Sequence, residues 1–92
     1  MTYHIEYGPN IDWKKFRRLP NNVKERIRLM IEEKLTREPS LFGKPLRHPL
    51  HGLWSLRVGE YRVVYRIMEN VVRIELFGHR STIYPDTEEL VG

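Results

Sequence analysis

Two short turns, Gly59-Glu60 and Glu69-Asn70, constrain this chain more than any other feature, because each fixes which strand residues stand opposite one another. A glycine at the first central position of a two-residue hairpin supplies the positive φ of a type II′ turn. Before the first turn, Trp54, Leu56 and Val58 alternate with Ser55 and Arg57. After it, Tyr61, Val63, Tyr65 and Ile67 alternate with Arg62, Val64, Arg66 and Met68. The period of two is that of a strand with one buried face. The first turn sets Val58 against Tyr61, Leu56 against Val63 and Trp54 against Tyr65. The second returns the chain from Val71 to Phe77 and sets Met68 against Val71, Ile67 against Val72, Tyr65 against Ile74 and Val63 against Leu76. One face of the sheet is then apolar. The other carries Arg57 opposite Arg62, Arg66 opposite Arg73, and Phe77 beside Arg62. Like charges directly across a ladder are unfavourable, so two such pairs on one face are what an anion site would look like.

The N-terminal half reads as one strand and two helices. Thr2 to Tyr7 alternate, with Tyr3, Ile5 and Tyr7 on one face. Asn10 is placed to cap a short helix from Ile11 to Leu19, which Pro20 ends. Val23, Ile27, Met30, Ile31 and Leu35 form an apolar stripe at the helical period, predicting a helix over about 21–37, with Asn22 and Glu25 spaced as a capping box. Pro39, Gly43, Pro45 and Pro49 make residues 38–51 irregular, and Lys44, Arg47, His48 and His51 make that loop cationic. After the strands, His79 to Tyr84 leads into an acidic tail, Asp86 to Gly92, expected to form at most one helical turn and to lie over the basic face. The expected fold is α+β, in the order β-α-α-β-β-β. It is a single domain over residues 1–92, a small antiparallel sheet with two N-terminal helices on one face and the arginine face uncovered.

The formal net charge of +4 favours polyanionic partners: RNA, DNA or an acidic protein. With no cysteine, disulfides and thiolate metal sites are excluded, which suits a cytoplasmic location. No apolar run reaches the roughly 18 residues of a membrane span and no signal-peptide pattern opens the chain, so no membrane partner is expected. Four histidines without a carboxylate cluster make a poor metal set. Neither a nucleophile elbow nor a phosphate-cradling glycine loop is present. No cofactor and no small-molecule substrate is therefore expected.

Metal-free RNA cleavage fits the residues better. The ribose 2′-OH attacks the adjacent phosphorus, and the reaction needs a base, an acid, and cations for charge on the phosphoryl oxygens. Arg57, Arg62 and Arg80 are candidates for the cations, since arginine stays charged and bonds two oxygens at once. Tyr84 and His79 are the available proton-transfer groups, Phe77 could stack a splayed base, and Lys44 and Arg47 could bind the RNA backbone.

At these residues the chain resembles the RelE/ParE superfamily of toxins from toxin–antitoxin pairs, and within it the RelE branch. The resemblance covers nearly the whole chain. Its strongest blocks are Lys44-Pro45-Leu46, the run Gly52 to Ile67 (GLWSLRVGEYRVVYRI), and Gly78-His79-Arg80 through Tyr84. It implies an mRNA interferase, a ribosome-dependent endonuclease that arrests translation by cutting mRNA through its 2′-OH, with a RelB-like cognate antitoxin, the ribosome and mRNA as partners. By position, the resemblance makes Arg62 the transition-state arginine of the YR-x-x-Y strand and Arg80 a phosphate or leaving-group contact. It makes Arg57 the second basic residue of the preceding strand, and Tyr84 the tyrosine that stacks on or orients substrate. The chain departs from the family in carrying Ser55 where the well-studied bacterial form has a lysine, and in a shorter segment between Arg80 and Tyr84. ParE relatives share the fold and poison DNA gyrase without the nuclease residues. A gyrase inhibitor, or a weakened toxin retaining only antitoxin binding, are accordingly the alternative expectations.

Overall fold

The computed structural model describes residues 2–91. Five strands, β1 (His4–Tyr7), β2 (Lys44–Pro45), β3 (Trp54–Val58), β4 (Tyr61–Met68) and β5 (Val71–His79), form one sheet in the order β1-β5-β4-β3-β2. The first hairpin has the expected register, Val58 with Tyr61 through Trp54 with Tyr65. Gly59 takes φ +60° at its turn. At the second turn the positive φ, 56°, falls on Glu69, a residue with a Cβ. Met68 then pairs with Val71, Ile67 with Val72, Arg66 with Arg73 and Tyr65 with Ile74, again as expected.

Beyond that point the register breaks. Val64 pairs with Leu76 and Tyr65 with Ile74, so Glu75 is an extra, unpaired residue in β5. Such a bulge displaces everything after it by one position. Val63 consequently faces Phe77, not Leu76, and Arg62 faces Gly78. Phe77 leaves the arginine face for the helix side, where its ring stands 5.0 Å from that of Phe16 and 5.8 Å from that of Trp13.

The α+β class and the β-α-α-β-β-β frame stand, with additions. β1 runs parallel to β5, which makes the sheet mixed rather than purely antiparallel. The loop over 38–51 contains a one-turn helix, α3 (Pro39–Phe42), and the edge strand β2. Helix α1 (Trp13–Arg17) is capped by Asp12, whose Oδ1 accepts from the Lys15 N–H at 3.1 Å, so Asn10 lies outside it. Helix α2 (Asn21–Met30) starts after Pro20 with no side-chain cap, and the Asn22–Glu25 box does not form. It runs on through a wider, π-type turn, Ile31–Leu35.

The apolar stripe of α2 does what its period requires. Ile27, Ile31 and Leu35 are buried against Leu56, Val58, Val63, Tyr65, Val72 and Ile74 of the sheet. Tyr3, Ile5, Val23 and Met30 close the edges of this core.

The opposite face is not bare. Residues 83–91 form helix α4, well beyond the single turn expected; Gly92 lies outside the described residues. Ile83 packs with Leu50, Leu53 and Val64, flanked by Leu46 and Leu76, to make a second core. The Thr87 hydroxyl, fully buried, donates to the Ile83 carbonyl at 2.6 Å. Gly78 admits the helix: a Cβ there would stand 2.8 Å from Ile83 Cδ1. Among the described residues no helix is long and apolar enough to cross a membrane.

Candidate functional site: a cationic cleft between sheet edge and C-terminal helix

With α4 covering one end of the second face, an open cleft of about 400 Å³ remains beside it. Its lining comes from five elements and one loop: Phe42 from α3, Lys44 and Pro45 from β2, Leu46 and Arg47 from the loop, Ser55 and Arg57 from β3, Arg62 from β4, and Tyr84 from α4. Each side chain is there for a local reason. Arg57 and Arg62 are ladder partners on the face away from the first core. Lys44 pairs with Ser55. Tyr84 follows the buried Ile83, so the packing of that isoleucine sets where the phenol lies.

Among the described residues, four cations and no carboxylate line the cleft. The Arg62 guanidinium is anchored: one terminal nitrogen donates to the Gly59 carbonyl at 3.0 Å and to the Tyr61 carbonyl at 2.9 Å. That fixes the side chain at the hairpin tip and leaves its remaining N–H groups for another acceptor. Among the described residues Arg57 and Arg62 have no ion-pair partner. Guanidinium groups so placed bind a phosphodiester by charge and by paired hydrogen bonds.

The second like-charged pair is different. Arg66 Nε lies 2.8 Å from Glu75, Arg73 Nε lies 3.3 Å from the same carboxylate, and Glu6 stands 3.8 Å from Arg73. Glu75, the bulge residue, is 7% exposed. The chain supplies its own anion there, and an external anion is not needed.

The other sequence candidates lie outside the cleft lining. Arg80 Nε is 2.7 Å from Glu60, and its N–H donates to the Glu60 carbonyl, so it sits at the same hairpin tip as the Arg62 anchor but is held by a carboxylate. His79 pairs with Tyr61, with the rings 5.5 Å apart, and its Nδ1 is 2.8 Å from the Ser81 hydroxyl. It lines a smaller pocket with Lys15, Phe16 and Leu19 on the helix side. Phe77, expected beside Arg62, is in the aromatic cluster of that side. The sequence reading missed Phe42, which is 41% exposed and is the cleft's second aromatic ring beside Tyr84. An aromatic directly before the basic loop is the signal that could have found it.

A family model described as the ParE toxin of the type II toxin–antitoxin system, parDE, matches residues 9–84. Toxin RelE of Mycobacterium tuberculosis is 37% identical over 73 residues, covering 77% of this chain and 75% of that protein. A chain of the crystal structure of the toxin–antitoxin complex RelBE2 from Mycobacterium tuberculosis is 32% identical, with a TM-score of 0.78 over 87% of this chain and 100% of that one. A mutant of Escherichia coli toxin RelE in the free state, at 22% identity and a TM-score of 0.72 over 100% of both chains, shares the fold. A family match over most of the chain, together with relatives at this identity, establishes that it belongs to the RelE/ParE superfamily, as a RelE-like toxin of a type II toxin–antitoxin system.

Proposed function

We propose that this toxin is a metal-independent endoribonuclease that cuts mRNA on the ribosome by attack of the ribose 2′-OH, and that a RelB-like antitoxin silences it. The observation that carries the reading is the cleft holding Lys44, Arg47, Arg57, Arg62 and Tyr84, with no carboxylate among the described residues that line it. A phosphodiester gains negative charge on its non-bridging oxygens as the 2′-oxygen adds, and fixed guanidinium groups stabilise that charge more than the ground state. Arg62, anchored at the hairpin tip, contacts the scissile phosphate. Arg57 beside it shares that charge, Lys44 and Arg47 hold the flanking backbone, and Tyr84 or Phe42 stacks a splayed base. Arg80 reaches the phosphate only by leaving Glu60, an exposed pair worth at most about 1 kcal/mol. Phe77 and His79 drop out of the proposed set because they lie on the helix side. The antitoxin partner is supported by the RelBE2 complex, a toxin–antitoxin pair at 32% identity to this chain.

Two other readings have their own support. The matching family model is described as ParE, which favours a gyrase inhibitor. Ser55, standing where the resemblance places a lysine, favours a weakened toxin that keeps only antitoxin binding. Cleavage of ribosome-bound mRNA in a translating extract, run beside a gyrase supercoiling assay, separates them. The expected result is mRNA cleavage by the wild type, lost in Arg62→Ala and Arg80→Ala, with supercoiling untouched. Full activity of both variants would sink the assignment. Inhibited supercoiling without cleavage would favour the gyrase reading, and inactivity in both assays the weakened toxin.

A further inference from the structure

We propose that Lys44 is the general acid of the reaction, a catalytic residue that protonates the departing 5′-oxygen. The inference rests on the endonuclease reading and assigns a role that reading leaves open.

The cleft lining decides the choice. Among the described residues it contains no histidine and no carboxylate, the usual acids and bases. Its three arginines bind oxygen but do not release a proton. The Ser55 hydroxyl is buried and has no hydrogen-bond partner in the structure. His79, the imidazole offered by the sequence as a proton-transfer group, is turned to the helix side, with Nδ1 2.8 Å from the Ser81 hydroxyl. Lys44 and Tyr84 remain. Lys44 is exposed, lines the cleft, and sits in the ladder opposite Ser55, the smallest residue of the lining. An ammonium has three donors on a flexible stem and ends neutral after giving one proton away. A phenol would end as an anion beside a phosphorane already doubly charged, and its flat ring suits base stacking.

The step balances without a redox partner. The 2′-oxygen forms its bond to phosphorus as the P–O5′ bond breaks, and the 2′-OH proton passes to water in the open cleft. Nζ of Lys44 gives its proton to the 5′-oxygen, leaving a 2′,3′-cyclic phosphate, a 5′-hydroxyl and a neutral amine that solvent reprotonates.

Arginine keeps the charge at this position and removes the transferable proton, so Lys44→Arg separates acid from simple backbone binder. Ribosome-bound mRNA carrying either the natural 5′-oxygen or a bridging 5′-sulfur at the cleavage site is the substrate, because a thiolate leaves without protonation. Lys44→Arg should cut the oxygen substrate about 100-fold more slowly than wild type, and the sulfur substrate within a few-fold of it. Ethylammonium should restore part of the activity of Lys44→Ala. Equal rates for Lys44→Arg and wild type on the oxygen substrate would overturn the assignment, as would an equal loss on both substrates. Wild type that cuts while Lys44→Arg matches it refutes Lys44 alone; wild type that cuts neither substrate refutes the endonuclease reading and this assignment with it.

Discussion

Arg66 and Arg73 face one another across β4 and β5 with Glu75 between them, while Arg57 and Arg62 face one another and Arg62 donates to the Gly59 and Tyr61 carbonyls. The same repulsive pairing therefore has two outcomes, set by one inserted residue. Both arginine pairs are legible in the sequence, because the turns fix their register. The neutralising carboxylate is not, because a bulge changes facing without changing the alternation that flanks it. The second turn carries its own cost. Glu69 holds φ 56°, a region that disfavours any residue with a Cβ. Glu69→Gly should raise stability by about 0.5–1 kcal/mol, seen as a melting temperature higher by a few degrees; an unchanged or lower midpoint would mean that Glu69 is not strained. Tyr65 is a second residue with a definite signature. It is fully buried, its hydroxyl donates to the Pro39 carbonyl at 2.6 Å, and burial pushes its ionisation up from the ordinary phenol range. The unfolded phenol ionises near pH 10 and the folded one resists, so the stabilisation is complete below pH 10 and is lost as pH rises toward the folded value. Denaturant titrations should show stability falling by about 1 kcal/mol per pH unit above pH 10. Tyr65→Phe should remove that part of the slope, at a cost of about 1–2 kcal/mol at neutral pH from the carbonyl left without its donor.

At the scale of elements, the periodic ones are those the sequence reveals. The stripe from Val23 to Leu35 and the alternation around Gly59 each repeat often enough to define a buried face. The elements that escaped are short or depend on partners elsewhere. β2 is two residues long and exists because Lys44 and Pro45 meet Ser55 and Trp54. Helix α4 contains Pro85 and a run of acidic residues that reads as a tail. It is held by Ile83 in the second core and by the buried Thr87, contacts that only the folded sheet provides. Gly78 is the hinge of that packing. Gly78→Ala would bring a methyl to 2.8 Å of Ile83 Cδ1, so the buried isoleucine must shift within the second core. A loss of about 1–2 kcal/mol is expected, together with slower mRNA cleavage, because Tyr84 moves with Ile83. Wild-type melting and cleavage in this variant would show that the close approach at Gly78 does not set the position of the phenol.

The whole molecule is a five-stranded sheet with a core on each face, and the cleft exists because the second core is smaller than the sheet it covers. Helices α1 and α2 with Trp13, Phe16 and Phe77 close the first face. On the other, Ile83, Leu50, Leu53 and Val64 close only part, leaving the cations of β2, β3, β4 and the adjoining loop around open space. The cleft, a candidate site, is thus legible in the sequence at Arg57, Arg62, Tyr84, Lys44 and Arg47, which line it together. It is not legible at Phe77 and His79, whose facing depends on the bulge at Glu75. The most direct measurement is the rate of cleavage of ribosome-bound mRNA by wild type, Arg62→Ala and His79→Ala under one set of conditions. Wild type and His79→Ala should cut at similar rates, leaving a 2′,3′-cyclic phosphate, while Arg62→Ala cuts at least about 100-fold more slowly. An Arg62→Ala variant as fast as wild type, or loss of cleavage confined to His79→Ala, would contradict a reaction carried out in the cationic cleft.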